Sequence, residues 1–225
     1  MTSLLLHPGD LLRSRTMPLG AKSPWRAVAE LVLLVVVFGL AYGAVMGTYA
    51  GPHGPRVLQM TYSAAKVPLL LLLTFCISLP SFFVLNTLFG VRDDFGDAVR
   101  ALIATQAALT IILASLAPLT ALWYLSVTGY RPAILFNAAM FGVASVAAQF
   151  LLRRLYRPLI ARSAKHRMLL RAWLLVFAFV GIQMGWVMRP FIGDPRAPTR
   201  FFREGAWGNA YVEVARIVRE VVKVR

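Results

Sequence analysis

The chain has 225 residues, 59% of them hydrophobic, and carries 24 Lys or Arg against 9 Asp or Glu, for a formal net charge of +15. Its mean hydropathy of +0.68 comes from unbroken apolar blocks, which excludes an ordinary soluble domain and points to an all-α, polytopic transmembrane helix bundle of about five spans. The basic excess sits at the ends of those blocks, where it suits anionic lipid headgroups rather than nucleic acid, and no nucleic-acid motif is present.

Residues 1–30 form a basic N-terminal segment, with Arg13, Arg15, Lys22 and Arg26 against Asp10 and Glu30. Ser23-Pro24 reads as an N-cap and first helical turn. Residues 31–49 are the first span, 19 residues without a charge. A signal peptide is the rival reading, but its apolar core is typically ~7–15 residues long, so an uncleaved span is expected. Gly39, Gly43 and Gly47 recur every fourth residue and share one face, suited to close approach of another helix.

Residues 50–66 are expected to form a short loop in which 57–66 can begin a helix that leads into a second span at 67–89, with Pro68 near its start, Pro80 inside and Asn86 near its far end. The acids of Arg92-Asp93-Asp94-Phe95-Gly96-Asp97 lack calcium-loop spacing and read as a solvated cap on the next helix. The third span, 101–127, holds Gln106 and Pro118 and ends in an aromatic belt of Trp123, Tyr124 and Tyr130. The fourth, 133–152, holds Asn137 and Gln149 among small residues.

Between the fourth span and the fifth, 172–188, lies a basic loop, 153–171, with Arg153, Arg154, Arg157, Arg162, Lys165, Arg167 and Arg171 and no acid. A loop this basic marks the cytoplasmic side and presents seven cations to anionic headgroups. The fifth span carries a second small-residue pair, Gly181 and Gly185, with Gln183 between them. Residues 189–225 are a polar tail, in which 210–224 can be drawn as an amphipathic helix or a strand; a helix lying on the membrane surface is expected.

Five spans put the termini on opposite sides. With the N-terminus cytoplasmic, the inside segments collect thirteen basic residues against seven outside or close to the last span, so a cytoplasmic N-terminus and a C-terminus on the opposite side are expected.

No nucleotide-binding, hydrolase or zinc-protease motif occurs, and His7, His53 and His166 stand at no ligand spacing, so neither an enzyme nor a metal or cofactor is expected. One cysteine, Cys76, allows no intrachain disulfide. No span carries an ionisable residue in its interior, which argues against proton-driven transport. The intramembrane polar residues Asn86, Gln106, Asn137, Gln149 and Gln183 read as interhelical hydrogen-bonding groups.

Lys66-Val67-Pro68 with its leucine run, Asn86, and the later Arg189-Pro190-Phe191-Ile192-Gly193-Asp194-Pro195 resemble the pattern of an uncharacterised family of five-span bacterial inner-membrane proteins. The resemblance implies a bacterial inner membrane, which makes the expected outer side of the C-terminus periplasmic, and no particular activity. Two functions fit the residues. One is a non-enzymatic scaffold or anchor subunit of a membrane complex, as a homo- or hetero-oligomer. The alternative is an oligomeric channel or passive permeation protein, with Pro80 and Pro118 kinking spans and Asn86, Gln106 and Asn137 lining a path.

Overall fold

The structure, a computed structural model, describes residues 24–51, 54, 56–127, 129–194, 196–203 and 206–212. Most of the basic N-terminal segment, His7, His53 and nearly all of the expected C-terminal amphipathic helix lie outside the described residues. Only residues 210–212 of that helix are described, and they are helical.

Among the described residues, five helices form the bundle: α1 (Pro24–Gly47), α2 (Arg56–Leu88), α3 (Phe95–Ser126), α4 (Tyr130–Arg162) and α5 (Lys165–Val187). Each is long and apolar enough to cross a membrane, so this is an all-α integral membrane protein. Helices are the form these apolar runs must take, because hydrocarbon offers no partner to a backbone N–H or C=O. The four helix-internal prolines, Pro68, Pro80, Pro118 and Pro158, are borne within continuous helices.

The helices run past the apolar blocks. At about 1.5 Å per residue, the 33 residues of α2 and of α4 reach ~50 Å, against a hydrocarbon core of ~30 Å. Residues 153–171 are therefore not a loop. They are the end of α4 and the start of α5, joined through Ser163 and Ala164 alone. Of the 50–66 stretch, residues 56–66 are the first part of α2, in line with a helix beginning near Val57, which places Lys66 eleventh in a helix.

Helix α3 is central and the most enclosed. Helix α1 packs on both α2 and α3, α4 packs on α3, and α5 packs on α2. One core cluster draws Leu34, Phe75, Leu102, Tyr156 and Trp173 from all five helices, and a second joins Tyr42, Met46, Leu113 and Ile192. Although consecutive, α4 and α5 scarcely touch beyond their link.

The seam between α1 and α2 rests on the first glycine face. A Cβ at Gly43 would stand 2.4 Å from the Ser63 carbonyl oxygen and 2.8 Å from Ala64 Cα. A Cβ at Gly47 would stand 2.5 Å from Met60 Cα, and one at Gly39 3.2 Å from the Pro68 ring. The partner of this face is thus a helix of the same chain. The second pair differs: Gly181 has only Thr74 at an ordinary 3.5 Å, and Gly185 has no neighbour within 4 Å. Gly185 therefore serves no close packing among the described residues.

The two ends of the bundle are built differently. At the basic end, the turn after α2, in which Gly90 takes a positive φ of 68°, leads to a 3-10 turn at Arg92–Asp94. Asp94 accepts hydrogen bonds from Arg162 at 2.7 Å and pairs with the His166 ring at 3.0 Å, while Asp97 pairs with Arg100 and Arg162. Lys165 Nζ donates to the Phe89 carbonyl at 2.9 Å. The acids read from sequence as a helix cap thus clamp the α4–α5 hairpin. All seven basic side chains of 153–171 are exposed, and Arg162 and Lys165 are also tied to the α2–α3 connection.

At the other end the chain does not simply leave the membrane. After α5, residues 189–194 and 196–203 fold over the mouth of the bundle, and 206–212 return along α5. Tyr211 stacks on Phe179 with ring centroids 4.4 Å apart. Phe179 lies nine residues, or ~13 Å of helix, before Met188. Over its described residues, the polar tail read from sequence is a cap that turns back along α5.

Candidate functional site

The cap is held by one face of α2. Arg56, Gln59, Ser63 and Lys66 follow one another at intervals of three, four and three, so a helix brings all four to the same side. Each finds a carbonyl in the segment after α5. Arg56 Nη1 donates to Gly193 at 3.2 Å and to Tyr49 at 3.2 Å. Gln59 Nε2 donates to Phe191 at 3.4 Å and to Ser63 Oγ at 3.1 Å, and Ser63 Oγ also donates to Phe191. Lys66 Nζ donates to Pro190 at 2.6 Å, and from α4 the Tyr130 hydroxyl donates to Ile192 at 3.0 Å. The Arg189-to-Asp194 stretch is thus a strap whose Pro190, Phe191 and Gly193 carbonyls point at α2.

Lys66 amends the expectation that no span encloses an ionisable group. It is 0% exposed, and its ammonium lies 4.9 Å from the centroid of the Phe201 ring. A buried ammonium is costly unless its donors are used, and here a carbonyl and an aromatic face receive it. The level of Lys66 follows from α1, since its neighbours Ser63 and Pro68 face Gly43 and Gly39. Counted as a loop residue, Lys66 gave no hint of burial. The three–four–three spacing with Arg56, Gln59 and Ser63 is the signal that would have revealed it.

A cavity of about 400 Å³ opens beneath the strap, lined by Arg56, Gln59, Tyr130, Asp194, Arg200 and Arg203 with neighbouring backbone. Gln59 is 1% exposed, and its Oε1 has no hydrogen-bond partner among the described residues.

A second cavity, of about 370 Å³, lies halfway along the bundle in the wedge where α4 and α5 diverge. Leu102, Thr105 and Gln106 of α3 form its floor, Ser145, Ala148 and Gln149 one wall, and Phe177, Ala178 and Gly181 the other. Gln106 is buried and its Oε1 has no partner among the described residues, while Ile182 at the rim is exposed.

The five amides read from sequence do not meet in one place. Gln106 and Gln149 share the wedge. Asn137 lies toward the capped end, where it accepts from the Tyr42 hydroxyl at 3.1 Å and donates to Tyr124 Oη at 2.6 Å and to the Ala133 carbonyl, joining α1, α3 and α4. Asn86, at the basic end, donates to the Phe82 carbonyl of its own helix. Gln183 holds the returning tail, donating to the Gly208 carbonyl and accepting from the Ala210 N–H. The described residues contain no group of three or more His, Cys, Asp or Glu side chains placed to hold a metal ion.

Comparison with protein-family models, with curated proteins and with solved structures gives no match for this chain.

Proposed function

We propose that the protein is a non-enzymatic scaffold or anchor subunit of a bacterial inner-membrane complex, docking one transmembrane helix of a partner in the wedge between α4 and α5. The observation that carries this reading is the wedge itself, a mid-bundle cavity with the buried Gln106 Oε1, unpartnered among the described residues, on its floor. A lipid tail fills space but donates no hydrogen bond, whereas a helix bearing one polar side chain does both. Ser145, Ala148, Ala178 and Gly181 keep the walls low enough for a backbone to approach. The complex is a homo- or hetero-oligomer according to which chain supplies that helix.

The channel alternative receives less support, because Asn86, Gln106 and Asn137 lie at separate places with separate partners rather than along one path. The bacterial assignment rests on the resemblance carried by the Lys66-Val67-Pro68 and Arg189–Pro195 segments. A cytoplasmic N-terminus and periplasmic C-terminus rest on the exposed basic hairpin, whose Arg153, Arg154, Arg157, Arg167 and Arg171 are placed for anionic headgroups.

A photo-crosslinking residue in place of Ile182 tests the docking reading in intact membranes. A discrete protein adduct that disappears on Gly181→Leu, with the folded chain still present, supports it. Adducts to lipid alone would remove the scaffold reading. Ion flux in liposomes that Gln106→Leu abolishes without changing assembly would replace it by the channel.

A further inference from the structure

The cavity under the strap has a chemistry distinct from that of the wedge. Its described lining carries three guanidinium groups, Arg56, Arg200 and Arg203, and one carboxylate, Asp194. Among the described residues Arg56 uses only Nη1 on protein carbonyls, which leaves Nε and Nη2 as donors. Arg203 is exposed, and its guanidinium makes no hydrogen bond or ion pair among the described residues. On the same lining the Gln59 Oε1 acceptor is buried without a partner among the described residues, although its Nε2 is used twice. A buried acceptor left unpaired costs about 1–3 kcal/mol, so a donor supplied from outside is the natural completion.

These groups specify a ligand with two parts. Guanidinium forks match phosphate oxygens, and an acceptor pair, Gln59 Oε1 with Asp194, matches a hydroxyl or ammonium group beside that phosphate. The cavity lies at the end of the bundle marked by Trp123, Tyr124 and Tyr130, the aromatic level at which headgroups sit. We propose that it binds a phosphate ester bearing an adjacent hydroxyl or ammonium donor, either the headgroup of a phospholipid or a soluble phosphate ester of the same chemistry. The phosphate sits on Arg56, Arg200 and Arg203, and the donor on Gln59 and Asp194. No bond is made or broken.

The test uses the full chain in mild detergent, with native mass spectrometry to count bound molecules. The probes are phosphatidylglycerol, phosphatidylethanolamine, glycerol 3-phosphate and inorganic phosphate. Wild type should retain one molecule of a donor-bearing phosphate ester. Arg203→Gln, an exposed change that leaves the strap's carbonyl bonds intact, should weaken binding about tenfold, the loss of one charge-assisted contact. Gln59→Leu should weaken the donor-bearing esters while leaving inorganic phosphate unchanged. Gly185→Ala, which meets no atom within 4 Å and lies outside the cavity lining, is the control and should change nothing at this site. Retention of the lipids but not of glycerol 3-phosphate identifies a headgroup, and the reverse identifies a soluble ester. Absence of binding to all four probes, or binding that neither Arg203→Gln nor Gln59→Leu weakens, overturns the proposal.

Discussion

Replacing Gly43 by alanine adds one methyl group at the tightest point of the α1–α2 seam. The new Cβ would stand 2.4 Å from the Ser63 carbonyl oxygen and 2.8 Å from Ala64 Cα, whereas ordinary contact begins at 3.4 Å. Both obstacles are backbone and cannot rotate away, so α1 must withdraw by roughly 1 Å or the seam must open. Overpacking of this kind costs about 1–3 kcal/mol, and alanine's better helix propensity returns at most about 1 kcal/mol. The net expectation is a loss of about 1–2 kcal/mol. Gly185→Ala gains the same propensity and meets no atom within 4 Å, so it should be neutral or slightly stabilising. Thermal unfolding of the detergent-purified chains, followed by tryptophan fluorescence, compares the two. For a chain of this size the shift is about 2–4 °C per kcal/mol, downward for Gly43→Ala alone. Equal Tm values for wild type and Gly43→Ala, or an equal fall for Gly185→Ala, would refute the argument that close approach is confined to the first glycine face.

Lys66→Met keeps the length of the side chain but removes the hydrogen bond to the Pro190 carbonyl and the cation over Phe201. A carbonyl left unpaired costs about 1–3 kcal/mol, and the loss should appear as faster hydrogen exchange across residues 190–203 while α1 and α3 stay protected; unchanged exchange in the strap would show that Lys66 does not hold it. For orientation, single cysteines at Ser163→Cys and Ala197→Cys in a Cys76→Ala background are exposed to a membrane-impermeant maleimide in intact cells. Labelling of Ala197→Cys alone is expected, and the opposite pattern would reverse the proposed sidedness.

The number and kind of the spans were legible because they depend on local composition. Runs such as 67–89 and 101–127 contain no charge, and a bilayer leaves an apolar run one regular form. Helix ends were less legible. Residues 153–171 look like a loop when charge is taken as the limit of a helix, yet a helix can continue into water with its Arg side chains exposed and its inward face closed by Tyr156 and Leu159. The glycine faces show the same division. Gly39, Gly43 and Gly47 and the pair Gly181 and Gly185 have identical spacing, and only the positions of the neighbouring helices separate a tight seam from an unused one.

The amino-acid sequence alone determined an all-α membrane bundle of five spans, the basic end and the aromatic end, because these follow from the solvent each segment can tolerate. The tertiary structure decided the rest. It made Arg189–Asp194 a strap across α2, buried Lys66 beneath it, gathered Arg56, Gln59 and Arg203 around one cavity and placed Gln106 on the floor of another. Those groupings join residues more than a hundred positions apart, or on helices whose contact is set by packing against α1 and α3. Local composition carries no record of such partners, since a side chain's neighbours are chosen by the shape of the whole bundle.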